Sequence, residues 1–172
     1  MLTSNAAECT NSLLKDTRML PITKQVEEIR AKLMEFYQRR SLYSKTINSR
    51  LTPYAERILS QGFEESRRLH VRVAGLVEFH VQSAEFIDVV HLDQRTCTCR
   101  QWQILGIPCS HAITAMQLRN KCPYDFCEHW FLTEAYRLTY NEVLHATRDI
   151  RQWDHTSVEM VLPPHASKQP GR

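Results

Sequence analysis

The stretch that decides how this chain folds is CTCRQWQILGIPCSH, residues 97–111. One residue separates Cys97 from Cys99, and nine residues later Cys109 and His111 repeat that spacing. Side chains two apart on an extended chain project to the same side, so both sulfurs of the first pair can reach one ion. Paired soft ligands are typical of structural zinc, whose closed tetrahedral site has no open position for catalysis. We predict one structural Zn²⁺ ion bound by Cys97, Cys99, Cys109 and His111.

Two alternatives to a zinc site stay open for this cluster. In the first, the thiols are buried core residues beside an incidental histidine. In the second, Cys97 and Cys99 form a redox pair, which is the weaker idea because one residue rather than two separates them. A further set, Cys122, Cys127 and His129, lacks paired spacing. We interpret its thiols as core or surface residues rather than a second metal site, since free cysteine commonly behaves as a small hydrophobe.

The residues between the two pairs predict how the ligands converge. Gly106-Ile107-Pro108 is a turn that can bring Cys109 back toward the first pair, and Ser110 is a predicted cap that places His111 in the first turn of a helix. The apolar side chains of this interval are expected to pack inside the module rather than form a binding surface. They are Trp102, Ile104, Leu105 and Ile107.

Outward from the cluster, the hydrophobic pattern predicts an α+β chain. Alternating residues predict strands near 69–73 and 77–82, and an almost wholly apolar run predicts a third over 86–92, apart from Asp88 and His91. Before them, helices are predicted over 5–20, over 22–40 and from Thr52-Pro53 onward. The second helix carries one stripe that we expect to be buried. Its members are Ile22, Val26, Ile29, Leu33 and Phe36.

The CxC and CxH pairs resemble the SWIM zinc finger, a ββα-type module found among Mutator-like (MuDR-type) transposases and their derivatives. The residues from Cys99 to Ala112 are similar to plant members, and Met19–Ile22, Tyr136, Tyr140 and Trp153 continue the likeness. The resemblance implies the C-terminal part of such a transposase and a role in binding DNA or protein. It also implies that the N-terminal helices end an RNase H-like domain, followed by a small antiparallel meander with the finger and a C-terminal helical segment.

Glu8 carries a second resemblance, to the Asn-x-x-Glu-x-x-Asn motif near the end of the transposase catalytic domain. There the glutamate completes an Asp-Asp-Glu triad, so Glu8 is a candidate catalytic relic. Asn5 and Glu8 also have the spacing of a capping box, which suffices to explain them. Two-metal phosphoryl transfer needs several carboxylates, and the family's two aspartates would lie before Met1. We therefore predict no enzyme activity; the alternative is a transposase subunit whose partner chain supplies the aspartates.

The charge distribution indicates where nucleic acid would bind. The chain is only +3 overall, but residues 30–72 contain ten Lys or Arg and four Glu. Arg39, Arg40, Lys45 and Arg50 are the candidate phosphate contacts. The alternative is an ordinary solvated connector between helices.

Composition and length bound the remaining expectations. The 172 residues are 42% hydrophobic, as in a soluble globular protein, with no apolar run long enough for a membrane span and no signal peptide. We expect an intracellular, nuclear protein whose partners are DNA and other nuclear proteins, with no membrane and no small-molecule substrate; a protein–protein interaction module is the other alternative. The predicted divisions are a helical transposase remnant, 1–50; a strand-rich region with the finger, 51–122 (core about 86–120); a C-terminal helical segment, 123–162; and a disordered tail, 163–172.

Overall fold

The structure, a computed structural model, describes residue 8, residues 11–12, residues 14–148 and residue 152. The helices are α1 (Ile22–Thr46), α2 (Pro53–Ser66), α3 (Gln101–Leu105), α4 (Ser110–Leu118) and α5 (Thr133–Thr139). The strands are β1 (His70–Val73), β2 (Glu78–Gln82), β3 (Ile87–His91) and β4 (Thr96–Cys97). Short 3₁₀ helices lie at Asp16–Met19, Pro123–Phe126 and His129–Phe131.

The four strands form one antiparallel sheet in the order β1-β2-β3-β4. In its register Phe79 lies opposite Val90, and Val90 in turn lies opposite Cys97. The predicted α+β class and antiparallel meander are therefore confirmed. The two-residue strand β4 was not predicted, because a strand this short shows no alternation of polar and apolar residues.

One face of the sheet is buried under α4 and forms the first core. Alternate residues of β2, Phe79 and Val81, are fully buried, whereas Glu78 and His80 between them are exposed. The small residues Ala112 and Ala115 let α4 lie close to this face. Cys97, Trp102 and Cys109 belong to the same buried cluster, so the predicted zinc ligands lie at the edge of the core.

A second core joins α2 to the finger and to the chain that follows it. Leu59 of α2, Ile107, Ile113 of α4 and Cys127 are packed together in this cluster. The backbone before α2 also pairs with the backbone before α5, since the Thr52 N–H donates to the Phe131 carbonyl at 2.8 Å. Residues from both sides of the predicted boundary at 122/123 thus share one core. The division into segments stays a prediction.

The first helix departs from the sequence-based expectation. α1 extends to Thr46, beyond the predicted end at Arg40, and its predicted buried stripe is wrong. Ile22 is 71% exposed and Val26 57% exposed. The last third of α1 is packed against α5, where Arg137 donates to the carbonyls of Ser44 and Ile47 at 3.2 and 2.6 Å. An apolar stripe identifies a helix but cannot show whether another element lies against it.

Some predictions fall partly or wholly outside the described residues. Of the predicted helix over 5–20, residues 8, 11, 12 and 14 are helical, and a 3₁₀ helix follows at Asp16–Met19. The helix α2 begins at Pro53, as predicted, and Thr52 occupies the N-cap position, but the Thr52 side chain forms no capping hydrogen bond. Of the C-terminal segment, α5 is described, whereas Trp153 and the predicted tail 163–172 lie outside the described residues.

Candidate metal centre

The structure brings the four predicted ligands together. One ligand atom each from Cys97, Cys99, Cys109 and His111 lies within 4.8 Å of the other three. His111 Nδ1 is 3.8 Å from the sulfur of Cys97. Around a tetrahedral zinc, sulfur and nitrogen ligand atoms are roughly 3.6 Å apart and two sulfurs roughly 3.8 Å apart. The cluster therefore fits one zinc ion after only a small contraction.

Two left-handed backbone positions shape the cluster. Arg100 has φ +60°, which turns the chain directly after Cys99, and its N–H donates to the Cys97 carbonyl at 2.9 Å. Gly106 has φ +71° and ends α3, which returns the chain toward the first pair. Glycine adopts this conformation without the steric cost that a side chain adds. These two turns bring the Cys97–Cys99 pair and the Cys109–His111 pair close together in space.

The second pair of ligands lies at the start of α4. Cys109 is the N-cap residue, and Ser110 is the first residue of the helix. The prediction that Ser110 caps this helix is wrong, because no side-chain capping bond forms and the chain becomes helical one residue earlier. His111 nevertheless lies in the first turn, as predicted.

The close approach of the ligand atoms shifts the pKa values of three of the ligands in the absence of metal. Hydrogen bonds from Cys109 and Cys97 lower the pKa of the Cys99 thiol. Hydrogen bonding to Cys109 and Cys99 raises the pKa of His111 to about 10, and hydrogen bonding to Cys109 and Cys99 also raises the pKa of Cys97. Since metal ligands must be deprotonated, zinc would displace these protons. Three thiolates and a neutral imidazole leave a zinc centre with net charge −1 and no open position.

Two residues beside the ligands were missed by the sequence analysis. Asp88 Oδ2 lies 3.4 Å from His111 Nε2, and both side chains are 16% exposed. The Thr98 hydroxyl donates to Asp88 Oδ1 at 2.6 Å. The sequence signal that could have identified Asp88 is its position as a charged residue in the mostly apolar run over 86–92.

The side chains of the second cysteine set are not placed to share one ion. Within the described residues, the four ligands above are the only group of His, Cys, Asp or Glu side chains placed to share an ion. Cys127 is buried, its thiol donates to the Pro123 carbonyl at 3.6 Å, and burial raises its pKa to about 12. Cys122 is exposed. The predicted interpretation as a core thiol and a surface thiol is confirmed.

The packing prediction for the interval between the ligand pairs is correct for two residues. Trp102 and Ile107 are buried, and Leu105 is half-buried. Ile104, in contrast, is 65% exposed. Successive side chains of an α-helix point roughly 100° apart, so α3 cannot bury all of its residues, and Ile104 lies outside both cores.

The predicted phosphate contacts occupy two kinds of environment. Arg39 and Lys45 are exposed on α1. Arg40 donates to the Tyr136 hydroxyl at 3.0 Å, and Arg50 forms an ion pair with Asp125 at 2.5 Å.

Glu8 is helical and exposed, while Asn5, its proposed capping partner, lies outside the described residues.

Comparison with known proteins identifies the module. Residues 88–120 match the family model of the SWIM zinc finger, a segment that begins within β3 and ends just after α4. The chain therefore contains a zinc-binding SWIM domain, and its Cys/His cluster fits one structural zinc ion. Neither curated proteins nor solved structures gave a match to the chain. Among the helices in the described ranges, none has the length and hydropathy that a membrane span requires.

Proposed function

We propose that this chain is a SWIM module derived from a Mutator-like transposase and that it binds DNA in the nucleus without catalysing a reaction. The observation that carries DNA binding is the charge of residues 36–55. This stretch contains four cations and no acidic residue, although the whole chain is only +3. It begins in the second half of α1, on the part of the helix that is packed against α5.

The exposed cations are the first candidates for contacts with DNA phosphates. In the part of the chain that the structure describes, Arg39 and Lys45 form no ion pair or hydrogen bond through their side chains. Arg40, in contrast, lies 5.1 Å above the Phe36 ring and is held by Tyr136. We therefore assign the main contacts to Arg39 and Lys45 and lesser ones to Arg40 and Arg50. Contacts of this kind position a protein on DNA without reading its sequence.

Zinc has a structural role in this proposal. The ion would bind the β4 end of the sheet, through Cys97, to the start of α4, through Cys109 and His111. A small metal module of this kind folds as the ion binds.

The order of the Glu8 motif, the helices and the finger along the chain supports the transposase origin, because it follows the order in that family.

A salt titration of DNA binding tests the proposal. The anisotropy of a fluorescent duplex would be measured with the wild-type chain at several salt concentrations. Each lost phosphate contact reduces the slope of log K against log salt by about 0.9, so the double variant Arg39→Gln/Lys45→Gln should lower the slope by about 2. The matched control, Lys24→Gln/Arg67→Gln, removes the same charge elsewhere and should keep the wild-type slope. Weak, salt-independent binding would contradict the proposal and favour a protein-interaction module.

The proposal assigns no catalysis to this chain. One glutamate cannot hold two metal ions about 4 Å apart, and Glu8 is exposed. We expect no DNA cleavage or strand transfer with Mg²⁺ or Mn²⁺, and no difference between wild type and Glu8→Gln. Metal-dependent cleavage that Glu8→Gln abolishes would support the subunit alternative, as would an in-frame upstream extension carrying two aspartates.

The cellular part of the proposal covers location and partners. We propose an intracellular, nuclear protein whose partners are DNA and other nuclear proteins, with no membrane and no small-molecule substrate. A fluorescent fusion of the full chain should concentrate in the nucleus. A fusion that is excluded from the nucleus would contradict this assignment.

A further inference from the structure

The two nitrogens of the His111 ring face different groups. Nδ1 lies 3.8 Å from the Cys97 sulfur, inside the ligand cluster. Nε2 points the other way and lies 3.4 Å from Asp88 Oδ2. A neutral imidazole has one nitrogen that accepts or binds metal and one that carries a proton. The surroundings of His111 therefore indicate which nitrogen binds the metal and which carries the proton.

We infer that His111 binds zinc through Nδ1 while Asp88 accepts the Nε2 proton, so that Asp88 is a positioning residue for the metal centre. This inference rests on the zinc site described above. A carboxylate that accepts the second ring proton of a metal-binding histidine fixes its tautomer and its ring orientation, and it makes the metal-binding nitrogen more basic. Asp88 lies on β3, outside the two ligand pairs, and no ligand of the cluster comes from that strand.

Asp88 is itself held in place by Thr98. Its Oδ1 accepts a hydrogen bond from the Thr98 hydroxyl at 2.6 Å, which leaves Oδ2 directed at His111. The Thr98 hydroxyl in turn accepts from the Val89 N–H at 3.1 Å, and the Thr98 N–H donates to the Val89 carbonyl at 3.0 Å. Thr98 lies between Cys97 and Cys99, so the backbone that places the two sulfurs also places the carboxylate.

A plain ion pair is the competing interpretation of the His111–Asp88 contact. An ion pair requires the imidazolium form of His111, whereas zinc binds the neutral ring, so zinc binding would have to break the pair. A positioning carboxylate has the opposite consequence, because Asp88 can accept the Nε2 proton while Nδ1 binds the metal. The two interpretations therefore predict opposite effects of Asp88 on zinc affinity.

The first experiment reads the ring directly and needs no variant. In the zinc-loaded full chain, labelled with ¹⁵N at histidine, long-range proton–nitrogen spectra distinguish a protonated from a metal-bound nitrogen. We expect His111 to show a protonated Nε2 and a metal-bound Nδ1, with a slowly exchanging Nε2 proton. A metal-bound Nε2 would overturn the inference, even with zinc fully bound.

The second experiment measures zinc affinity by competition with a chromophoric chelator. Loss of a carboxylate in this position typically costs 10–100-fold in metal affinity, and we expect that range for Asp88→Asn. The matched control is Asp93→Asn, which removes an exposed carboxylate from the β3–β4 turn and should keep the wild-type affinity. Thr98→Val keeps Asp88 but removes the hydrogen bond that orients it, so it should reduce zinc affinity by a smaller factor. This variant replaces Asp88→Asn in the test if Asp88→Asn does not fold.

The outcomes separate this inference from the site on which it rests. A wild-type chain that binds no zinc would overturn both. A wild type that binds one zinc, together with Asp88→Asn and Thr98→Val variants of unchanged or tighter affinity, would overturn the inference alone. Cobalt-loaded samples add a spectroscopic readout: the d–d bands of Asp88→Asn should shift, whereas those of Asp93→Asn should match wild type.

Discussion

Gly62 of α2 lies directly against Ile113 of α4. A Cβ atom added at Gly62 would be 2.7 Å from Ile113 Cδ1, closer than carbon atoms can approach. Ile113 is fully buried, so its side chain has little room to move. The helix that precedes the SWIM match is thus packed so closely on the finger that a Cβ at residue 62 would require Ile113 to move.

Gly62→Ala should therefore destabilise the protein despite its favourable effect on helix propensity. Overpacking a core costs typically 1–3 kcal/mol, whereas Gly to Ala in a helix gains roughly 1 kcal/mol, so we expect a net loss of about 1 kcal/mol. Urea unfolding of the zinc-loaded chain measures it. The control is Gly75→Ala, since a Cβ there meets nothing within 4 Å. Equal stability of the two variants would contradict the close packing of α2 on α4.

Gly106→Ala should be more damaging than Gly62→Ala. Gly106 combines φ +71° with a Cβ position 2.8 Å from Glu128 Cγ. The left-handed conformation alone costs a residue with a side chain roughly 1–2 kcal/mol. Adding Glu128→Ala should relieve the contact but not the backbone strain, so the double variant should recover only part of the loss. Full recovery, measured in the same unfolding experiment, would show that the conformation of Gly106 costs nothing.

Removal of zinc should unfold the region over 95–120. The interior there is small and depends on ligands from two separate pairs, so the ion contributes directly to folding. We expect a strong chelator to abolish amide protection in this region in hydrogen-exchange measurements, and Cys109→Ala to bind no zinc. Cys122→Ala, which changes an exposed thiol outside the cluster, should bind one zinc as wild type does. A chain that stays folded and metal-free would contradict a structural role for zinc.

Zinc affinity should fall as the pH falls. At pH 7 the raised pKa of His111, about 10, and the raised pKa of Cys97 keep both groups protonated without metal, while the lowered pKa of Cys99 makes it a thiolate already. Binding zinc must therefore release at least the two protons of His111 and Cys97. Calorimetry in buffers of different ionisation enthalpy measures this number. Affinity that does not change between pH 6 and 8 would contradict it.

The spacing in 97–111 was enough to predict the ligands and the ion, because two short pairs of soft ligands have few other uses. Alternation along 69–73 and 77–82 was enough to predict the antiparallel meander, because alternation is typical of a strand, although it is matched by burial only in β2, at Phe79 and Val81. The same kind of reasoning failed for α1. Its apolar stripe was periodic, yet Ile22 and Val26 are exposed, because periodicity describes a helix and not its neighbours.

Local spacing and composition were sufficient for the chemistry of the chain: which side chains fit a zinc ion, where the chain turns at Gly106, and where positive charge is concentrated. The residues that surround that chemistry became visible only in the folded chain. Asp88 meets His111, and Gly62 meets Ile113, across 23 and 51 positions of sequence. Such contacts arise when strands and helices pack into common cores, and no short-range pattern encodes them.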